Sequence, residues 1–329
     1  MKKLINAVDT VLSESLDGFA AAHADIVTLG TDRLFLRRKT LKPNKIALLS
    51  GGGSGHEPLH AGFVGHGMLD GACPGQVFTS PTPDQMAAAV GALDTGKGTL
   101  FIVKNYEGDV MNFEMAAEMA ETPVKTVVVD DDVAVEKSTY SIGRRGVAGT
   151  MIVERIVGAA AEQGASLDEA QALGKDVNGR TRSMGVALTS CTVPAAGKPT
   201  FAIGDGEMEF GVGIHGEPGR RRDTLKSADA IAEEICAAIL GDLGDRAKGP
   251  ALLFVNGFGG TPLMELYLMY NSARKIFEKR GVTITRSLVG SYVTSLDMAG
   301  CSITLTMLDD EMTGWWDAPV HTAALRWGM

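Results

Sequence analysis

Short apolar, β-rich runs alternate with stretches of helical spacing along this chain, and that alternation narrows its fold more than any other feature. IALLS (Ile46–Ser50), TLFIVKNY (Thr99–Tyr106), VKTVVVD (Val124–Asp130), MGVALTSC (Met184–Cys191), ALLFVNGF (Ala251–Phe258), VTITRSLVG (Val282–Gly290) and SITLTML (Ser302–Leu308) read as buried strands, each bounded by Gly, Pro, Asp or Asn. Between them the spacing predicts helices over Asp109–Glu121, Gly149–Gly164, Ser227–Leu240 and Thr261–Gly281. Asp109 suits the first of these as its N-cap, and the last has Thr261 at the cap, Pro262 in the first turn and Gly281 at the stop. Strands alternating with helices give an α/β architecture: two α/β domains, each a central β-sheet flanked by helices. The polar stretch DVNGRTRS (Asp176–Ser183) is the expected linker, dividing the chain into residues 1–183 and 184–329.

Bulk properties exclude several classes of function. Lys and Arg number 31 against 40 Asp and Glu, a net charge of −9, where a nucleic-acid surface would carry a basic stripe. The local exception, Arg220–Arg222, reads as a solvated turn, with a phosphate clamp as the alternative. The four cysteines (73, 191, 236 and 301) lie far apart without C-x-x-C pairing, so neither a zinc site nor a redox motif is expected. No apolar run reaches the ~18 residues of a membrane span. The first residues carry acids where a signal peptide needs an apolar core. A cytoplasmic protein with reduced thiols, binding neither nucleic acid nor membrane, is the expectation.

Four places carry residues able to do chemistry. SGGGSGHEP (Ser50–Pro58) follows a strand as a phosphate loop would, but has no Lys and fits neither G-x-x-x-x-G-K-[ST] nor G-x-G-x-x-G. Its glycines allow a ligand close to the backbone, with His56 as a titratable group aimed at it; the alternative is a tight turn with a capping His. Asp109 lies beyond the carboxyl end of a strand, the usual functional edge of an open α/β sheet, and is a candidate acid/base for a hydroxyl. His215, flanked by Gly213 and Gly216, offers a neutral imidazole able to act as a nucleophile; a buried turn His is the alternative. Asp130–Asp132 follow another strand and read either as Mg²⁺ ligands or as strand-end turn residues. One echo connects the halves: GHEP at Gly55–Pro58 and HGEP at His215–Pro218.

Longer motifs carry a resemblance. SGGGSGHEPLHAGFVGHGMLDGACPGQVFTSPTPDQM, KNYEGDVMNFEMA, VVVDDDVAV, GRRGVAGT, CTVPAAGKPTF, EMEFGVGIHGEPG, TSLDMAGCSITL and WDAPVHTAALRWG, in this order along the whole chain, resemble the dihydroxyacetone kinase K-domain family. The resemblance implies that the Gly-rich segment holds a short-chain ketose rather than a nucleotide. It puts substrate binding on Gly53, His56, Ser80, Lys104 and Asp109, and a covalent hemiaminal on His215. Asp109 is then the favoured base for the hydroxyl that attacks phosphorus, with His56 beside it. It implies no metal and no cofactor on this chain, and a homodimer. ADP or ATP with Mg²⁺ would come on a separate L-type nucleotide-binding subunit, with a phosphocarrier upstream in the phosphotransferase-system version, because the sequence stops at Met329 where single-chain members continue into a nucleotide domain. Two other readings stay open: a ketose sensor acting on a transcription factor, and a kinase subunit for a related ketose such as erythrulose.

Overall fold

The computed structural model describes residues 2–134, 143–217 and 219–329, which two six-stranded sheets organise. The first sheet contains β1 (Val27–Leu29), β2 (Leu36–Arg38) and β3 (Ala47–Ser54) and, past the separate short strand β4 (Gly65–His66), β5 (Gly71–Val77), β6 (Thr99–Lys104) and β7 (Val124–Val129). Their order is 1-2-5-3-6-7, with β5, β3, β6 and β7 parallel. The central β3 and β6 are buried at every position, as strands covered on both faces must be. Alternate side chains part to opposite faces: Leu49, Phe101 and Val103 pack with α2 (Pro83–Leu93) and α3 (Glu107–Met119), which follow α1 (Val11–Ala22) in the chain. Leu48, Leu100 and Ile102 face α4 (Gly149–Glu162), beside which lies α5 (Leu167–Gly179).

The second sheet is built from β8 (Thr181–Ala187), β9 (Glu207–Phe210), β10 (Arg221–Thr224), β11 (Gly249–Gly257), β12 (Val282–Gly290) and β13 (Gly300–Met307), in the order 10-9-8-13-11-12. Only β11 and β12 pair in parallel; the other neighbours are antiparallel. Leu253 and Val255 turn to α6 (Ala228–Leu243) and α7 (Leu263–Lys279), while Leu252 and Phe254 join the core around α4. Helix α4 is buried at all its residues because it is shared between the two halves. After α8 (Asp310–Asp317), β14 (Val320–Thr322) pairs with both β15 (Arg326–Trp327) and β4, so the last residues return to the first half. The halves are also stitched at the Gly-rich segment: Leu296 N–H donates to the Gly55 carbonyl (2.8 Å) and Thr294 N–H to that of His56 (3.2 Å).

The two-sheet α/β expectation holds, and each expected strand and helix is present, β12 with the expected bounds and the others with shifted ends. Four local readings change. Residues 176–183 are not a free linker but the end of α5 and the start of β8, with Thr181 and Ser183 fully buried. The Gly-rich segment is not a loop after a strand: β3 continues to Ser54, with Gly51–Gly53 paired to β5. Asp109 does not cap α3; Tyr106 does, and Asp109 falls in the first helical turn. Thr261 precedes the cap of α7, which is Pro262; its hydroxyl instead bridges the backbone of Gly300.

Candidate active site

The carboxyl ends of parallel β3 and β6 meet the loop after β9 around a cleft of about 490 Å³. Its walls include Gly53, Ser80, Tyr106, Asp109, His215 and Glu217. Ligands gather at this edge of a parallel sheet because the strands end there and loops diverge.

Asp109 is 2% exposed. Its Oδ2 lies 3.5 Å from the Lys104 ammonium, and its Oδ1 is buried with no partner. Buried carboxylate oxygens are rarely left unmatched, so this one is an acceptor waiting for a donor. In the same cleft the Tyr106 hydroxyl is also buried without a partner, and burial holds that phenol well above its usual range.

The His215 ring is wedged edge-on among Tyr106, His56 and Phe78, with centroids at 4.4, 4.6 and 5.5 Å. Burial, then the charges of Lys104 and Arg145, push its pKa down to about 3. The ring is therefore neutral at physiological pH and keeps a lone pair. Its backbone N–H donates to Glu217 Oε2 (2.9 Å), and Arg145 donates to Glu217 Oε1 (3.2 Å) while also pairing with Asp132 (2.6 Å). Arg145, which precedes α4, thus anchors the His215 loop to the first half. Gly213 has no room for a Cβ, which would collide with Glu217. The echoed motifs have the same use: Glu57 accepts from the Gly55 N–H (3.0 Å) as Glu217 does from His215, each closing its own loop. Pro218 of the echo lies outside the described residues.

His56 approaches His215 from behind the cleft wall and is fully buried. Its Nδ1 is 2.7 Å from the Thr294 carbonyl, which can only accept, so the proton sits on Nδ1 and Nε2 carries the lone pair. That Nε2 has no partner, and burial, with His215 and Lys104 nearby, holds the ring well below the ordinary histidine range. Lys104 is fully buried too and does not line the cleft. It lies behind Gly52, where a Cβ would collide with its ammonium. Of the residues nominated from sequence, Gly53, Ser80, Asp109 and His215 share the cleft, while His56 and Lys104 back it.

The remaining charged candidates are committed elsewhere. Asp131 accepts from the N–H groups of Val147 and Gly149 at the start of α4, Asp132 pairs with Arg145, and Asp130 with Asn178. Among the described residues no cluster of His, Cys, Asp and Glu has the shape of a metal site. Arg221 and Arg222 sit on β10, paired with Glu234 and Glu209. Sequence reasoning missed Tyr106, Arg145, His60 and Glu154; the first three lie within motifs already singled out, whereas Glu154 has no local signal.

A Dak1 domain matches residues 17–324. The chain is 49% identical to the dihydroxyacetone-binding subunit DhaK of the PEP-dependent dihydroxyacetone kinase of Escherichia coli K12, with all of both chains covered. It is 48% identical to the corresponding subunit of PTS-dependent dihydroxyacetone kinase 1 of Listeria innocua, over 98% of this chain and 100% of that one. Its structure superposes on the dihydroxyacetone kinase operon co-activator DhaQ with a TM-score of 0.88 at 34% identity, covering 94% and 96% of the two chains. A domain match over nearly the full length, with relatives this similar covered end to end, means that the chain belongs to the Dak1 family of dihydroxyacetone kinase K subunits.

Proposed function

We propose that this chain binds dihydroxyacetone covalently through His215 and presents it for phosphorylation to dihydroxyacetone phosphate by a nucleotide-bearing L-type subunit. The observation that carries the reading is a neutral, unprotonated imidazole sharing one cleft with a carboxylate oxygen that has no partner. A ring nitrogen of His215 adds to the ketone carbon. The C=O π pair moves to oxygen, which takes up a proton while the ring releases its own N–H proton, so the hemiaminal is the neutral sum of its parts. The bond fixes a small substrate in one pose, which lowers the entropic cost of the later transfer, and it excludes glycerol, which has no carbonyl. Gly53 and Ser80 bind the ketose from the cleft walls, and Lys104 supports it from behind the wall through its ion pair with Asp109. Asp109 Oδ1 accepts the proton of the terminal hydroxyl as that oxygen attacks phosphorus, with His56 Nε2 as a second acceptor.

The residues present do not fit a nucleotide or its Mg²⁺. The Gly-rich segment spends its backbone on pairing with β5, and the acids of Asp130–Asp132 are already matched. ADP or ATP with Mg²⁺ therefore belongs to the L-type partner, and the names of the bacterial relatives favour a phosphocarrier as its source of phosphate. The co-activator neighbour represents a second reading, a ketose sensor. The unpartnered Asp109 oxygen favours the enzyme, since a sensor has no use for a base. The same reading takes the protein as a cytoplasmic homodimer, supported by four unpaired cysteines and by the exposed apolar start of α7 described below. It also takes residues 1–183 and 184–329 as two units, one to each wall of the cleft.

Intact-mass measurement tests it: the protein should gain one dihydroxyacetone per chain, and His215→Ala should not. With ATP and Mg²⁺ alone no dihydroxyacetone phosphate should form, whereas the L-type partner with its phosphoryl source should start turnover. An adduct retained by His215→Ala would move the nucleophile elsewhere.

A further inference from the structure

Behind the cleft runs a buried chain of three side chains from three separate parts of the sequence. Glu154 on α4 meets His60 Nδ1 through Oε1 (2.6 Å), and His60 Nε2 meets the Lys104 ammonium (2.9 Å). Lys104 also donates to the Gly51 carbonyl (3.3 Å) and lies 3.5 Å from Asp109 Oδ2. All are shut off from solvent: Glu154 and Lys104 are 0% exposed and His60 6%.

The protons of this chain can be placed. An ammonium has only donors, so the Nε2 facing it must accept. On the other side, the Ser50 hydroxyl 3.0 Å from Nδ1 gives its proton to the Ile102 carbonyl (2.6 Å), so it too can only accept from the ring. Glu154 Oε1 is the stronger acceptor at the same nitrogen. Both sides agree: the proton is on Nδ1 and the lone pair on Nε2. Burial pushes Glu154 up to about 8, against the pull of Lys104, and in either protonation state Oε1 can still accept. The ammonium then donates to Gly51 O and His60 Nε2, with Asp109 Oδ2 as its ion-pair partner at 3.5 Å, and Gly52 leaves the space that lets Lys104 lie there.

We propose that His60 and Glu154 are positioning residues for phosphoryl transfer: Glu154 fixes the imidazole tautomer, the imidazole fixes the direction of the Lys104 ammonium, and the ammonium holds Asp109 Oδ2 so that Oδ1 faces the substrate. This deepens the function proposed above and rests on it. The chain ends at Asp109 and acts on His215 through the charge of Lys104 rather than through a hydrogen bond; a change at His60 leaves that charge in place, so it separates the two chemical steps. Loss of the His60 acceptor leaves hemiaminal formation in place and slows only the transfer.

The test uses the full chain with its L-type partner and compares His60→Phe, which removes the acceptor, with His60→Gln, whose amide oxygen restores it. Asp109→Asn serves as the reference for a lost base. For His60→Phe we expect an undiminished dihydroxyacetone adduct by intact mass, KM within about threefold of wild type, and kcat lower by about 10–100-fold, the usual scale for a misaligned group. His60→Gln should recover most of that loss. If His60→Phe fails to fold, Glu154→Leu, which keeps the ring but frees its tautomer, should show the same split. Turnover of His60→Phe equal to wild type, loss of adduct and turnover together, or a His60→Gln as slow as His60→Phe would each overturn the assignment. A wild-type protein that forms no adduct would instead refute the function on which it rests.

Discussion

A histidine with an ordinary pKa near 6.5 is mostly protonated at pH 5, and a protonated ring has no lone pair for a ketone. His215 avoids this because desolvation and two neighbouring cations oppose its charging, taking its pKa to about 3. The shift is downward, so the neutral imidazole that the proposed adduct needs is present at every pH above about 3 and disappears only below it. Adduct yield measured by rapid quench and intact mass should therefore stay level from pH 8 to pH 5. An unshifted histidine would lose about thirtyfold in its neutral form at pH 5, and a fall of that size would show that the site is open to water. At this scale the sequence was partly legible. His215, His56 and Asp109 stand out because glycines and strand ends flank them. The burial of Lys104 was not legible: a Lys at the end of an apolar run usually extends to solvent, and its partner His60 is 44 residues away in the chain. Glu154 looks like a surface position of an amphipathic helix until α4 is found buried on every side.

The loop after β9 depends on one small residue. A methyl group on Gly213 would strike Glu217 and come within 2.8 Å of the Arg145 guanidinium, breaking the bridge that holds the His215 backbone. Gly213→Ala should reduce adduct formation by about tenfold or more by misplacing the nucleophile, and should cost about 1–3 kcal/mol of stability, as overpacking typically does. Intact mass and thermal melting read the two effects; an adduct unchanged beside a lowered melting point would make the bridge merely structural. Among the elements, the buried strands were legible because apolar runs closed by turn residues have few other uses. The helix starts were less so. α5 hides behind a polar composition, although Ser166 and Glu169 form its capping box. The end of β3 was hidden because glycines imply a loop. Here they serve tight packing instead: a Cβ on Gly51 would lie 2.7 Å from the Cys73 carbonyl of the neighbouring strand.

For the molecule as a whole, the first turns of α7 present Leu263, Met264, Tyr267 and Leu268 to solvent at 52%, 82%, 54% and 52% exposure. Clustered apolar surface of this kind marks an association face. The proposed homodimer should appear by light scattering at micromolar concentration, and Leu268→Glu should shift it toward monomer. A wild-type monomer at that concentration would count against it. The two-part plan was legible in the sequence, but the pairing of the last strands with the first half was not, since two-residue and three-residue strands such as β4 and β14 carry no periodicity to read.

That pairing has a mechanical consequence. With β14 hydrogen-bonded to β4, and Thr294 and Leu296 to the backbone at His56 and Gly55, the two halves that wall the cleft are fastened at two separate places. They cannot part like the jaws of a hinged enzyme without breaking sheet pairing. The ketose has to enter through the existing mouth, and whatever delivers phosphate has to reach in by the same opening. On this view the chain is the fixed workbench of the reaction, and the moving parts belong to its partner.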